Sequence, residues 1–256
     1  MRAILCVLIL LVSALTAPVA GAADLLAQLS ALAPDADVEV LALALAAREC
    51  ATAKGVAGDG ERLAVIDYAR PSTEPRLWVF DLSVPKLLFV EHVAHGQGSG
   101  ENRTTAFSNI DGSHQTSLGL FRTAETYSGG NGYSLRLDGL EPGINDHARD
   151  RAIVMHGANY VNPEMALRQG RLGRSYGCPA VRPAVAKPMI DALKQGQLLF
   201  AYSAAADWRA SSTLLTCAVA KVEANAAERG IAAAAVDARP IAAASGASAA
   251  VASMRP

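Results

Sequence analysis

Two short stretches of the sequence carry side chains suited to acyl transfer. They are Ile153-Val154-Met155-His156-Gly157 and Gly173-Arg174-Ser175-Tyr176-Gly177-Cys178-Pro179-Ala180-Val181. A thiolate is the useful nucleophile, and a free cysteine, with a pKa of about 8.5, is mostly protonated at neutral pH. An imidazole can accept that proton or steady the thiolate as a cation. Cys178 and His156 are therefore the candidate nucleophile and base. His156 ends an apolar run, and a strand end can aim a side chain into a cleft. Gly157 lets the chain turn directly afterwards. Gly177 permits a backbone conformation in which the amides of Tyr176, Gly177 and Cys178 point at one spot. Such a nest would serve an acyl-transfer enzyme as an oxyanion hole. Ser175 can hydrogen-bond within this turn or to substrate.

Other chemistries find less support. The cluster Gly96 to Gly100 lacks the Gly-Lys-Ser/Thr ending of a phosphate loop, and no Gly-x-Ser-x-Gly elbow occurs. His92, His95 and His156 raise the question of a metal. However, His-x-x-His on a strand sends its rings to opposite faces, which argues against a shared metal, and acyl transfer by a cysteine needs neither a metal nor an organic cofactor. His95 enters a Gly-rich loop, where it either lines the cleft or supports the fold. Tyr160, Asn145 and Asp146 flank the histidine run; of these, Tyr160 is a candidate substrate contact. The segment from Arg149 to Arg182 is rich in arginine, which suits an acidic polymer or simply a solvated loop.

The elements that must position these residues read as mainly β with peripheral helices. Residues 24–54 read as helical, with Asp35 or Asp37 as N-cap and Gly55 as the stop. Leu63 to Tyr68, Leu77 to Leu82 and Lys86 to Val90 read as strands separated by Pro- and Ser-containing turns. A loop rich in Gly, Ser and Asn follows to about Gln115. Leu118 to Thr123, Tyr133 to Leu137 and Ala152 to His156 are shorter strand candidates. Pro183 to Lys194 spaces Val185, Met189, Ile190 and Leu193 along one helical face, with Pro188 expected to kink or shorten it. Leu198 to Tyr202 closes the pattern. The resulting division is residues 24–58 as a helical segment, 59–208 as a catalytic domain and 209–256 as an Ala-rich, poorly ordered tail.

At 256 residues and 51% hydrophobic content the chain can bury one substantial core. Its net charge of -1 makes no case for nucleic acid. Arg2, the apolar run from Ile4 to Val12 and the small residues up to Ala23 describe a secretory signal peptide, residues 1–23. That run is too short to span a bilayer, so no membrane span is expected after cleavage. A periplasmic or secreted location follows, in an oxidising compartment. Cleavage leaves Cys50, Cys178 and Cys217, an odd number, so at least one thiol stays free. If Cys50 and Cys217 pair, it is Cys178.

On these residues the chain resembles the YkuD-type L,D-transpeptidases of bacterial cell walls, which carry a His-Gly on a strand and a Ser/Thr-x-Gly-Cys turn. Asp67-Tyr68, the stretch Pro71 to Trp78, Val93 to Gly100, Ser117-Leu118-Gly119, Asn131 to Leu135 and Gly139-Leu140-Glu141 are similar to the murein L,D-transpeptidase branch. The resemblance runs from about Leu63 to Tyr202. It implies a YkuD-like β-sandwich and a substrate, the peptidoglycan stem peptide. It also implies attack by Cys178 at the third-residue carbonyl, a thioester, and a 3→3 crosslink when a second stem's amine resolves it. Water as acceptor would make the chain an L,D-carboxypeptidase or crosslink hydrolase, and loss of chemistry would leave a wall-binding module. The Gly157 carbonyl is implied to orient His156. Many relatives have His at the position of Tyr176 and Arg or Asn at that of Ala180. Arg174 and Arg182 are therefore the candidates for holding the donor carboxylate, because Arg binds carboxylates bidentately.

Overall fold

The computed structural model describes residues 22–228. The signal-peptide expectation therefore falls almost wholly outside the described residues. Two helices open the chain, α1 (Ala22–Leu32) and α2 (Val38–Ala53). Asp37 is the N-cap of α2 and accepts the Glu39 amide at 2.8 Å, which satisfies one of the orphan donors of the first turn. The short link between the two helices breaks what reads in sequence as one helical stretch.

Eight strands follow: β1 (Arg62–Asp67), β2 (Leu77–Asp81), β3 (Lys86–Glu91), β4 (Gly119–Gly129), β5 (Gly132–Gly139), β6 (Val154–Gly157), β7 (Ala180–Val181) and β8 (Leu198–Tyr202). They form one mixed sheet in the order β3-β2-β1-β8-β4-β5-β6-β7. The expectation of a mainly β core with peripheral helices holds, and pairing is continuous through all eight strands. The central strands β1 and β8 are parallel, and every residue of β8 is buried. That burial explains their near-continuous apolar sequences.

The sheet curls until its two edges approach. Just beyond β3, Ala94 bridges Ala180 of β7, and the Ala94 amide donates to the Ala180 carbonyl at 2.8 Å. Two more backbone bonds continue this seam, Ser175 N–H to His95 O at 2.9 Å and Gln97 N–H to Ser175 O at 2.8 Å. The seam lays the segment after β3 against the turn that leads to Cys178.

Four further α-helices follow among the described residues. Helix α4 (Pro183–Leu193) buries Ala186, Met189, Ile190 and Leu193. It continues through Pro188, because the carbonyl that loses its partner belongs to exposed Ala184. Helix α3 (Pro163–Gln169) was not legible as a stripe, since only Ala166 is buried. Beyond α5 (Ala206–Ser211), helix α6 (Thr213–Glu228) replaces the poorly ordered tail expected from residue 209. Buried Trp208, Leu214 and Leu215 anchor this region, and a disulfide joins Cys217 of α6 to Cys50 of α2. Buried Glu141 accepts the Ser212 hydroxyl, while Ser212 Oγ in turn accepts the Leu215 amide at 2.9 Å. The remainder of the expected tail, residues 229–256, lies outside the described residues.

Candidate active site

Strand β6 delivers His156. Met155 points into the main apolar cluster, and alternation along the strand puts Val154 and His156 on the other face. The His156 Nδ1–H donates to the Gly157 carbonyl at 3.0 Å. This assigns the proton of the neutral ring to Nδ1 and leaves Nε2 as the basic nitrogen. Burial holds the His156 pKa below its ordinary value, against a smaller upward pull from the Gly157 bond. The ring is thus neutral at pH 7, as a base must be.

Strand β7 runs parallel to β6 with Ala180 opposite His156, so Cys178 lies beside the entry to β6. Its sulfur accepts the Val154 amide at 3.4 Å, and its thiol points to the Ala152 carbonyl at 3.6 Å. Ala152 has φ 52, a left-handed conformation that a non-glycine residue adopts at some strain. Cys178 is the free cysteine among the described residues. Burial pushes its pKa up, opposed by the Val154 amide and then by the charge of Arg151. No hydrogen bond joins Cys178 to His156. The thiol rests on backbone, aimed at the Ala152 carbonyl and not at His156.

The turn before Cys178 is held from within. Ser175 Oγ donates to the Cys178 carbonyl at 2.7 Å and accepts the Gly177 amide at 3.1 Å. Gly177 sits at φ +124. Of the three candidate oxyanion donors, Gly177 is therefore engaged, whereas the amides of Tyr176 and Cys178 have no protein acceptor among the described residues. Tyr176 is exposed and stacks on His114, with ring centroids 4.5 Å apart.

The structure separates the more peripheral candidates. Tyr160 is partly exposed and packs on Gly173, whose amide donates to its carbonyl at 3.0 Å; burial and then the charge of the Cys178 sulfur raise its pKa to about 12, and no hydrogen bond joins it to Cys178 or His156. His95 does not join the site. It is buried between Arg76 Nη2 at 2.7 Å and the Gly100 carbonyl at 3.2 Å, so it supports the seam and lines no cleft. Burial and then the Arg76 charge lower its pKa to about 4. Neither Arg174 nor Arg182 is free to hold a donor carboxylate, because each already has an internal one. Arg174 Nη1 meets Glu101 at 2.8 Å and the Gly100 carbonyl at 2.9 Å. Arg182 grips Glu91 with contacts of 2.8 and 2.6 Å, clasping the end of β3 to the end of β7. Asn145 is a structural brace, bonded to the Leu118 and Leu120 carbonyls. Among the described residues no group of three His, Cys, Asp or Glu side chains is gathered to hold a metal.

Arg151 is the residue that sequence reasoning missed, having counted only as one charge in an arginine-rich stretch. Its Nη1 reaches the Ser108 carbonyl and Ser117 Oγ, each at 2.6 Å. Its Nη2 reaches Ser113 Oγ at 3.1 Å and the Gln115 carbonyl at 2.8 Å. Nothing local distinguishes it, since its partners lie in a loop that meets it only on folding.

A YkuD-type family model described as the L,D-transpeptidase catalytic domain matches residues 32–202. The chain belongs to this family. The match takes in the whole sheet, the seam and both site residues, while α5 and α6 lie beyond it. Among solved structures the chain is similar to an L,D-transpeptidase from Mycobacterium smegmatis, with 14% identity and a TM-score of 0.33 over 55% of this chain and 58% of that one. L,D-transpeptidase 1 of Mycobacterium tuberculosis aligns at 15% identity and a TM-score of 0.30, over 54% and 60%. The helical cell shape determining protein Pgp2 of Campylobacter jejuni aligns at 12% identity and a TM-score of 0.37, over 70% and 64%. The chain thus spans about six-tenths of the length of these proteins, and the family assignment does not rest on them. No curated protein sequence matches the chain.

Proposed function

We propose that the chain is an exported cysteine acyltransferase that acts on peptidoglycan stem peptides and forms 3→3 crosslinks. One observation carries this reading: within the family's His-Gly and Ser-x-Gly-Cys motifs, the thiol of Cys178 is free while His156 is neutral with Nε2 unoccupied. In the first half-reaction Cys178 Sγ attacks the third-residue carbonyl of a donor stem, and its proton passes to His156 Nε2. The amides of Tyr176 and Cys178, which have no protein acceptor among the described residues, receive the developing oxyanion, where each such donor contributes about 3 kcal/mol. The carbon–nitrogen bond to the terminal D-residue breaks, and His156 protonates the departing amine. A thioester remains on Cys178. In the second half-reaction a side-chain amine of another stem attacks the thioester carbonyl and gives a proton to His156, the carbon–sulfur bond breaks, and His156 returns that proton to Cys178 Sγ.

The Cys50–Cys217 disulfide supports export, because such bonds persist in oxidising compartments. Among the described residues no helix is long and apolar enough to cross a membrane. A periplasmic or secreted site of action fits both observations.

Incubation with purified muropeptides, followed by mass analysis, tests the reading. Crosslinked dimers with loss of the terminal residue are expected. Shortened stems without dimers, whether or not an amine acceptor is supplied, would reassign the chain as a hydrolase. Neither product, together with no carbapenem adduct on Cys178, would leave a wall-binding module.

A further inference from the structure

The arginines around the site fall into two kinds. Arg171 and Arg174 share Glu101, Arg182 grips Glu91, and Arg149 contacts Glu125 and Asp138. Arg151 has no carboxylate within ion-pair distance among the described residues. All four of its hydrogen bonds go to neutral oxygens of Ser108, Ser113, Gln115 and Ser117. These partners span one loop and hold the guanidinium under the Gly177–Cys178 turn. A side-chain carbon built on Gly177 would lie 3.6 Å from Arg151 Nη2. The charge is therefore fixed, permanent and without a contacting counter-ion, one residue from the nucleophile. An arginine keeps its proton at any working pH.

We propose that Arg151 is a positioning residue of the acyl-transfer site, whose guanidinium supplies the positive charge that steadies the Cys178 thiolate. This rests on the reading of Cys178 as nucleophile. The need for such a charge is physical. The thiol is buried, which disfavours the charged form, and His156 is neutral and not hydrogen-bonded to it. Around the sulfur, Tyr160 and Tyr68 are uncharged at neutral pH, their pKa values raised chiefly by burial. Asp111 is the acid whose charge Arg151 feels. The Val154 amide gives the thiolate a hydrogen bond; Arg151 gives it a charge. The same side chain fastens the 108–117 loop to the segment that leads into β6, so the position of that loop and of the charge are set by one residue.

The test is the pH dependence of Cys178 alkylation by iodoacetamide, read by intact mass on the full, disulfide-bonded chain. Arg151→Gln is expected to raise the midpoint by about one unit, slowing alkylation at neutral pH about tenfold. Arg151→Lys, which keeps the charge without the planar fork, is expected to recover most of that rate. A folded Arg151→Gln protein with the wild-type midpoint would overturn the proposal. So would a Lys variant as slow as the Gln variant, since both lose the loop bonds and only one loses the charge. Should Arg151→Gln not fold, Asp111→Asn serves in its place. Removing that carboxylate is expected to lower the midpoint, and an unchanged or raised midpoint would count against Arg151. Alkylation needs no peptidoglycan. A wild-type protein that shows the Arg151 dependence but never crosslinks muropeptides would refute the proposed function and leave this inference standing.

Discussion

The molecule holds buried cysteines in two settings. Cys50 is 1% exposed and Cys178 is 9% exposed, so burial does not distinguish them. Their surroundings do. Cys50 lies on α2 among Ala and Leu side chains, on a helix whose backbone groups satisfy one another, and its sulfur is bonded to Cys217. Cys178 lies at the end of a turn where backbone amides and carbonyls are unsatisfied or held by side chains, with left-handed residues at Ala152 and Gly177. The helix pair uses sulfur as a crosslink. In the turn the Cys178 sulfur is unpaired, between the Val154 amide and the Ala152 carbonyl. The proposed function puts reactivity in the turn and leaves the helix pair to stability.

The strongest way to break that contrast is to exchange what each sulfur does. Cys178→Ala is expected to reduce product formation by about 10⁴-fold or more, since loss of a nucleophile leaves only binding and oxyanion stabilisation. Its thermal midpoint should stay near the wild-type value, because the thiol's two backbone contacts are long. Retained crosslinking in this variant would remove Cys178 from the mechanism.

Next in size is Gly177→Ala. The added carbon would meet the Gln115 carbonyl oxygen and Ile153 Cδ1, each at 2.8 Å, in a backbone at φ +124. One contact is in the 108–117 loop and the other on the residue that leads into β6, so the turn must shift. A displacement of about 1 Å can cost about 10²-fold in rate. A rate within twofold of wild type would show that the turn tolerates movement.

The disulfide region should behave in the opposite sense. Replacing Cys50 and Cys217 by Ala is expected to remove about 2–4 kcal/mol of stability. For a domain of this size that is a fall in thermal midpoint of roughly 5–15 °C. Crosslinking at 25 °C should be almost unchanged, since α2 and α6 contribute no atom to the site. A collapse of activity in a protein still folded at that temperature would show the regions to be coupled.

This division also explains what could be read from the sequence. The local placement of His156, Gly157, Ser175, Gly177 and Cys178 was legible because it depends on near neighbours: a strand end, a turn, a positive φ. Strands β1, β2 and β3 were legible through their apolar runs and intervening turns. Helix α6 was not, because its anchors are long-range: a disulfide across 167 residues and the Glu141 contact to Ser212. The arginines failed for the same reason. Arg174 finds Glu101 and Arg182 finds Glu91 only when the sheet edges meet, and Arg151 finds its loop only on folding. Helix α3 did carry local signals, namely Asn162 as N-cap, Pro163 in the first turn and left-handed Gly170 at the end, but no apolar stripe accompanied them.

The smallest expected effect lies in the polar seam behind the site, where Asp67 and His95 flank buried Arg76. Burial, more than any other cause, raises the Asp67 pKa to about 6 and lowers that of His95 to about 4. The two act on stability with opposite signs. The His95 contribution is complete above pH 6.5 and is lost as pH falls toward 4. The Asp67 contribution is complete below pH 3.8 and is lost as pH rises through 6. Acidification from pH 6.5 to 4 therefore removes one while restoring the other, and the shifts offset to within ~1 kcal/mol. Thermal midpoints across that window should move by only a few degrees from this pair. Asp67→Asn sharpens the test, because the amide oxygen can still accept the Ala69 amide that Asp67 Oδ1 holds at 2.9 Å, yet nothing remains to offset His95. Its midpoint should fall on acidification, by an amount corresponding to about 2 kcal/mol. A pH profile in the variant as flat as that of wild type would mean that His95 takes up its proton in the folded seam, keeping the Nε2 bond to the Gly100 carbonyl while Nδ1 gives up its place as acceptor for Arg76.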